Sequence, residues 1–200
     1  MELTDFQKKL VTLLPEMELA MEEPMAKHTS FRIGGPAEVM AFPKNSEELS
    51  KILKMSTLLD CKIAILGAGT NILAPDDGID GLVICLKDWM DGMVRLDAER
   101  IRVAAGVTMA RAAVFAARQN LGGMEFAHGI PGTVGGGVYM NAGAYGGEMK
   151  DVVTSCEYLT AEGELRTMKL AEMELSYRHS ILENCDAIVV SADFKLVSAE

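Results

Sequence analysis

The chain has 200 residues, 49% of them apolar, enough for one sizeable domain or two small ones with a real core. Its 19 basic against 29 acidic side chains give a formal net charge of −10, which argues against a nucleic-acid partner. No apolar run approaches the ~20 residues of a membrane span, and no basic-then-apolar leader opens the chain; a monomer in the cytoplasm, with no membrane partner, is expected.

In chain order, Leu3 to Leu14 predicts a helix capped by Thr4 or Asp5, with Phe6, Leu10, Leu13 and Leu14 on one face. Pro15 to Pro24 reads as a solvated, glutamate-rich connector, so residues 1–27 form a helix plus linker. From His28 to Phe42 a turn leads into a strand. Asn45 with Glu48 then predicts a capped helix burying Leu49, Ile52, Leu53 and Ser56. The apolar run Lys62 to Leu66 is a strand and completes a β-α-β unit over residues 28–78. Gly78 to Gly81 marks the border to a second subdomain, residues 79–200. Within it, short strands are expected at Leu82 to Leu86, Met93 to Leu96 and Ile101 to Ala105. Thr108 caps a helix over Met109 to Gln119 that Gly122-Gly123 ends. Val152 to Thr160 and Leu165 to Leu170 form a hairpin, and Ala187 to Val197 is a last strand.

Two glycine stretches stand out. Gly67-Ala68-Gly69-Thr70-Asn71 follows a strand at once, and consecutive small residues there offer N–H groups to an anion. It departs from the Rossmann fingerprint, because Ile72 stands at the third glycine and no helix pattern follows. The run Gly129 to Gly147 carries eight glycines among large apolar residues and is therefore no linker. Thr133 is an N-cap candidate for a short helix over Val134 to Met140. Its small residues either bare the helix start as an anion cradle or let the helix pack tightly on a sheet. Cys61, Cys85, Cys156 and Cys185 are widely spaced with no CxxC pair, which points to reduced thiols and no metal site.

Four motifs in order carry a resemblance: His28-Thr29-Ser30-Phe31-Arg32-Ile33-Gly34-Gly35, Leu66-Gly67-Ala68-Gly69-Thr70-Asn71, the Gly129 to Gly147 run, and Tyr177-Arg178-His179-Ser180. Together they make the chain resemble the flavin-binding part of the UDP-N-acetylenolpyruvoylglucosamine reductase family. The resemblance implies an α+β fold of two subdomains, that of the vanillyl-alcohol-oxidase type of FAD-binding proteins, with flavin in the cleft. It implies non-covalent FAD, NADPH as reductant and UDP-N-acetylenolpyruvoylglucosamine as substrate. Gly67, Ala68, Gly69, Thr70 and Asn71 would hold the diphosphate; Gly129, Ile130, Pro131, Gly132 and Thr133, with Asn141, Ala142 and Gly143, would border diphosphate, ribityl chain and ring. Arg178 would polarise the substrate carboxylate, a task suited to a permanently charged planar fork; an arginine paired with a neighbouring acid is the other reading. Related oxidases attach flavin through histidine, which makes His128 the residue to inspect for covalency. Family members continue for roughly a hundred residues into a domain carrying a proton-donating serine and an assisting glutamate. The 200 residues alone are therefore expected to bind FAD without turning over the sugar. A non-catalytic FAD module, or another flavoprotein of the same fold, is the alternative.

Overall fold

The computed structural model describes residues 2–87, 89 and 92–199. They fall into two compact units, Met1–Leu86 and Lys87–Glu200.

In the first unit, α1 (Asp5–Leu13) starts at Thr4, whose hydroxyl accepts from the Gln7 N–H while the Gln7 side chain accepts from the Thr4 N–H. The helix buries Gln7 and Leu10, with Leu14 beyond its end, while Leu13 is exposed. Gln7 accounts for the rotation: its amide donates to Glu22 Oε1 at 3.0 Å and to the Glu38 carbonyl at 3.1 Å. Those acceptors lie on β1 (Leu19–Pro24) and β2 (Pro36–Ala41), which pair antiparallel from Leu19↔Ala41 to Pro24↔Pro36. The segment expected as a solvated connector is thus a strand. It takes the sheet edge, where the charges of Glu22 and Glu23 are tolerated and resist pairing with another chain.

Asn45 caps α2 (Ser46–Leu59), accepting from the Glu48 N–H at 2.9 Å, while Glu48 reaches back to the Lys44 N–H at 2.7 Å. The helix buries Leu49, Ile52, Leu53 and Ser56 as its spacing predicts. Then come β3 (Ile63–Leu66) and β4 (Ile79–Cys85), in the order β1-β2-β4-β3 with β4 parallel to both neighbours. The border expected at Gly78 to Gly81 therefore moves to the end of Leu86. Leu82, Val83 and Ile84 are wholly buried, and that apolar run belongs in the middle of a parallel sheet.

The second unit begins with β5 (Met93–Arg95) and β6 (Arg100–Ala104), joined by a turn in which Asp97 Oδ1 accepts from the N–H groups of Glu99 and Arg100. Thr108 caps α3 (Met109–Arg118). That helix ends on Asn120 in the left-handed conformation (φ 56°), not on Gly122-Gly123; Asn is the common substitute for glycine there. Gly122 lies instead in β7 (Leu121–Gly122). A 3-10 turn over Glu125–Gly129 leads to α4 (Val134–Tyr139), then to the small pair β8 (Gly143–Ala144) and β9 (Gly147–Glu148). The hairpin β10 (Val153–Leu159) and β11 (Leu165–Lys169) forms as expected, followed by β12 (Ile188–Lys195) and by β13 (Val197–Ser198), which pairs with β7. The main sheet is antiparallel, in the order β11-β10-β12-β6-β5.

Candidate flavin-binding site

In the first unit, residues 67–78 connect two adjacent parallel strands, a crossover that usually needs a dozen or more residues and a helix. Here the crossover is an irregular loop held by backbone. Ser30 N donates to the Gly69 carbonyl at 2.9 Å, and Gly35 N to the Pro75 carbonyl at 2.9 Å. Gly69 has φ 65°, and a Cβ there would lie 1.9 Å from the His28 carbonyl oxygen. Glycine is required at that point so that two stretches of backbone can meet. The motifs His28 to Gly35 and Gly67 to Asn71 are therefore one structure. The His28 ring bonds Glu23 at 2.9 Å, and this contact, before that of Lys27, holds the Glu23 carboxyl below its ordinary range.

The N–H groups of Gly67, Ala68 and Gly69 donate to no carbonyl among the described residues, although Gly69 is buried and its neighbours are half-buried. Unspent amides in consecutive small residues match the donor set a diphosphate takes, dipoles that meet an anion without burying a counter-charge. Thr70 is half-buried and Asn71 exposed at the end of the loop.

In the second unit, the stretch Gly129 to Gly143 divides in two. Val134 N donates to the Val107 carbonyl at 2.8 Å, Gly135 N to Ala105 at 2.9 Å, and Gly136 N to the Thr133 hydroxyl at 3.4 Å. The start of α4 is thus not an open cradle, because its amides are spent inside the unit. A Cβ on Gly135 would lie 2.8 Å from the Ala105 Cβ, and one on Gly137 would lie 2.7 Å from the Met109 sulfur. Glycine in this helix serves close packing. Just before it, Met109 N bonds the Gly132 carbonyl, while the N–H groups of Gly132 and Thr133 donate to no carbonyl among the described residues. Gly132 has φ 141°, and Thr133 is buried. Gly129, Ile130 and Pro131 lead into this pair, with Ile130 N bonded back to Ala127.

Asn141, Ala142 and Gly143 are tied into their own unit. Asn141 N bonds Val138, and Ala142 N bonds Gly137, closing α4. The buried Asn141 side chain is used up within the unit: its amide donates to Glu148 and to the Ser176 carbonyl at 2.9 Å, and its oxygen accepts from Lys150 N at 2.9 Å. Gly143 pairs with Glu148 across β8 and β9, where a Cβ would meet Glu148. Lys150, ahead of Asn141, holds the Glu148 carboxyl below its ordinary range.

Arg178 lies exposed in a tight turn closed by Ser176 N to His179 O at 3.1 Å and His179 N to Ser176 O at 3.2 Å. Its φ of 52° is left-handed, a position turns usually give to glycine or asparagine. The neighbouring Tyr177 is 89% exposed. Ser180 is fully buried and donates to the Tyr139 carbonyl at 2.6 Å. The contribution of Ser180 was not visible in sequence, since its partner lies 41 residues away. His128 is exposed beside Gly129. Among the described residues no group of histidines, cysteines and acids is placed to hold a metal ion, and no helix is long and apolar enough to cross a membrane. Cys61, Cys85, Cys156 and Cys185 are in no disulfide among the described residues, and burial pushes the Cys156 thiol up to about 12.

The model of the family described as FAD binding domain matches residues 37–169. UDP-N-acetylenolpyruvoylglucosamine reductase from Agathobacter rectalis is 45% identical over 96% of this chain and 64% of its own length. The crystal structure of the reductase of that name from Thermus caldophilus superposes with a TM-score of 0.73 at 28% identity, over 92% of this chain and 64% of that one. 6-Hydroxy-D-nicotine oxidase from Arthrobacter nicotinovorans, at 17% identity and a TM-score of 0.70 over 92% of this chain and 42% of its own, shares the fold. The chain spans just under two thirds of the length of the reductases it matches. Its architecture is accordingly the α+β, FAD-binding fold of the vanillyl-alcohol-oxidase type. The chain belongs to the FAD binding domain family, and within it is similar to part of the UDP-N-acetylenolpyruvoylglucosamine reductases.

Proposed function

We propose that the chain holds FAD non-covalently, as the flavin-binding part of a reductase that uses NADPH to reduce the enolpyruvyl group of UDP-N-acetylenolpyruvoylglucosamine. One observation carries the cofactor assignment: each unit keeps a short run of backbone amides, Gly67 to Gly69 and Gly132-Thr133, that donate to no carbonyl among the described residues, at a glycine whose φ is positive. When bound, FAD supplies the hydride chemistry. The residues of the chain bind and orient. The amides take the phosphates, and the side chains of Thr70, Asn71 and Thr133 add neutral hydrogen bonds. Asn141 to Gly143 border the cofactor, with the Asn141 side chain bonded within its own unit. Arg178, exposed on its tight turn, offers a cation to the substrate carboxylate.

The test has two parts. The purified 200-residue protein is expected to carry FAD that acid or heat releases fully. Thr70→Ala with Asn71→Ala is expected to weaken FAD binding roughly tenfold, about 1.4 kcal/mol, in protein that still folds. Flavin that stays on the denatured chain overturns the non-covalent assignment, and unchanged affinity in the double variant moves the diphosphate elsewhere. In the full gene product, Arg178→Ala should lower kcat on the enolpyruvyl sugar about 10²–10³-fold with flavin content intact, and Arg178→Lys should restore only part. Wild-type turnover in Arg178→Ala removes the arginine from the reaction.

A further inference from the structure

We infer that Asn141 and Ser180 are positioning residues, whose task is to hold the Arg178 turn in its strained conformation. The inference rests on the catalytic reading of Arg178 given above. The turn is closed by the Ser176–His179 pair of backbone bonds, the His179 ring bonds Glu183 at 3.1 Å, and its outer residue, Tyr177, is almost fully in water. An isolated two-residue turn does not stay formed on two solvent-accessible bonds, still less with arginine in the left-handed region.

Two buried side chains tie the turn to the unit from opposite ends. At the leading end, Asn141 donates to the Ser176 carbonyl at 2.9 Å. At the trailing end, the Ser180 hydroxyl donates to the Tyr139 carbonyl at 2.6 Å, and Ile181 N bonds the Met173 carbonyl at 2.8 Å. Tyr139 is the last residue of α4 and Asn141 lies two residues beyond it, so both pins are driven from the end of one helix. Asn141 is itself left-handed (φ 44°) and fixed by the Lys150 N–H on its oxygen. Asparagine is the side chain that tolerates this backbone and also supplies two donors and an acceptor. An aspartate would lose the donors to Ser176 and Glu148.

The arrangement carries information in one direction: the helix that follows Gly132-Thr133 sets where Arg178 stands. A guanidinium displaced by about an ångström loses much of its effect on a reacting group, so rigidity here is functional.

Trypsin, which cleaves after arginine, reads the turn directly in the 200-residue protein. Asn141→Gly keeps the left-handed backbone at ease, and Ser180→Ala removes one hydroxyl. Each should speed cleavage after Arg178 about fivefold, the factor of one net hydrogen bond. Cleavage after Arg166, exposed in the β10–β11 hairpin, is the internal control and should not change. If one variant unfolds, all sites accelerate and the other decides the question. Unchanged cleavage after Arg178 in a folded variant overturns the inference. In the full gene product, Asn141→Gly should lower kcat about tenfold when Arg178 is present and not at all in an Arg178→Ala background, the signature of two residues acting as one. Additive losses overturn the positioning role. Wild-type turnover in Arg178→Ala alone overturns instead the reading beneath it, while the trypsin result still decides what holds the turn.

Discussion

The two glycine stretches look alike in sequence and solve opposite problems. In the crossover loop, Gly69 lets one backbone run against another, and the amides beside it are left over. In α4, Gly135 and Gly137 let a helix sink onto Ala105, Met109 and Met149, and the amides at its start are consumed by Val107 and Ala105. Glycine content therefore reports close approach in both places, but only unspent N–H groups distinguish approach to a ligand from approach to the protein itself.

The largest effect that tests this difference is a single methyl group. Gly69→Ala should cost ~3 kcal/mol or more, since the new Cβ meets a carbonyl that cannot move and the backbone is left-handed. Gly137→Ala meets only the ends of two methionines, which can turn aside, and gains helix propensity, so its net change should stay within about 1 kcal/mol. Thermal melting of both variants decides; equal losses would erase the distinction. A middle-sized effect is Gly136→Ala. Its nearest neighbour would be the Thr133 hydroxyl at an ordinary 3.5 Å, so the variant should gain about 0.5–1 kcal/mol. If FAD content falls while stability rises, the cofactor approaches α4 itself and the comparison breaks. The smallest effect is with pH. Glu23 in the first unit and Glu148 in the second have folded values below the ordinary carboxylate range, so their contributions are complete above about pH 5 and disappear as acid carries the pH through the lower folded value. Melting temperature should fall on that side, and Glu23→Gln should flatten part of the fall. A curve indifferent to Glu23→Gln would show that the His28–Glu23 contact adds nothing to the loop.

What could be read in advance follows from the range of the interaction that fixes it. The caps of α2 and α3, the buried face of α2 and the β10–β11 hairpin depend on residues a few positions apart, and the structure repeats them. The face of α1 was misjudged because Gln7, polar by type, is buried by partners on β1 and β2. The strand β1 was hidden because an edge strand keeps its charges and shows no apolar alternation. The glycine loops could be located from local pattern, whereas which of their amides are spent depends on Ala105 and Val107, some thirty residues away. For the same reason the partners of the Asn141 side chain, Ser176 and Lys150, could not be read from its neighbours in the sequence.

The order β1-β2-β4-β3 has a kinetic meaning. During synthesis β2 and β3 emerge with a vacant place between them and no hydrogen bonds to each other; only β4, ending at Cys85, closes the gap. Until then two parallel strands carry open edges and uncovered apolar faces, the state most exposed to wrong pairing. Docking of β4 also draws residues 67–78 back from the end of β3 to the start of its parallel neighbour, so the glycine loop acquires its shape in the same step that completes the first unit. A chain stopped at residue 78 would have every residue of the loop and no means to form it.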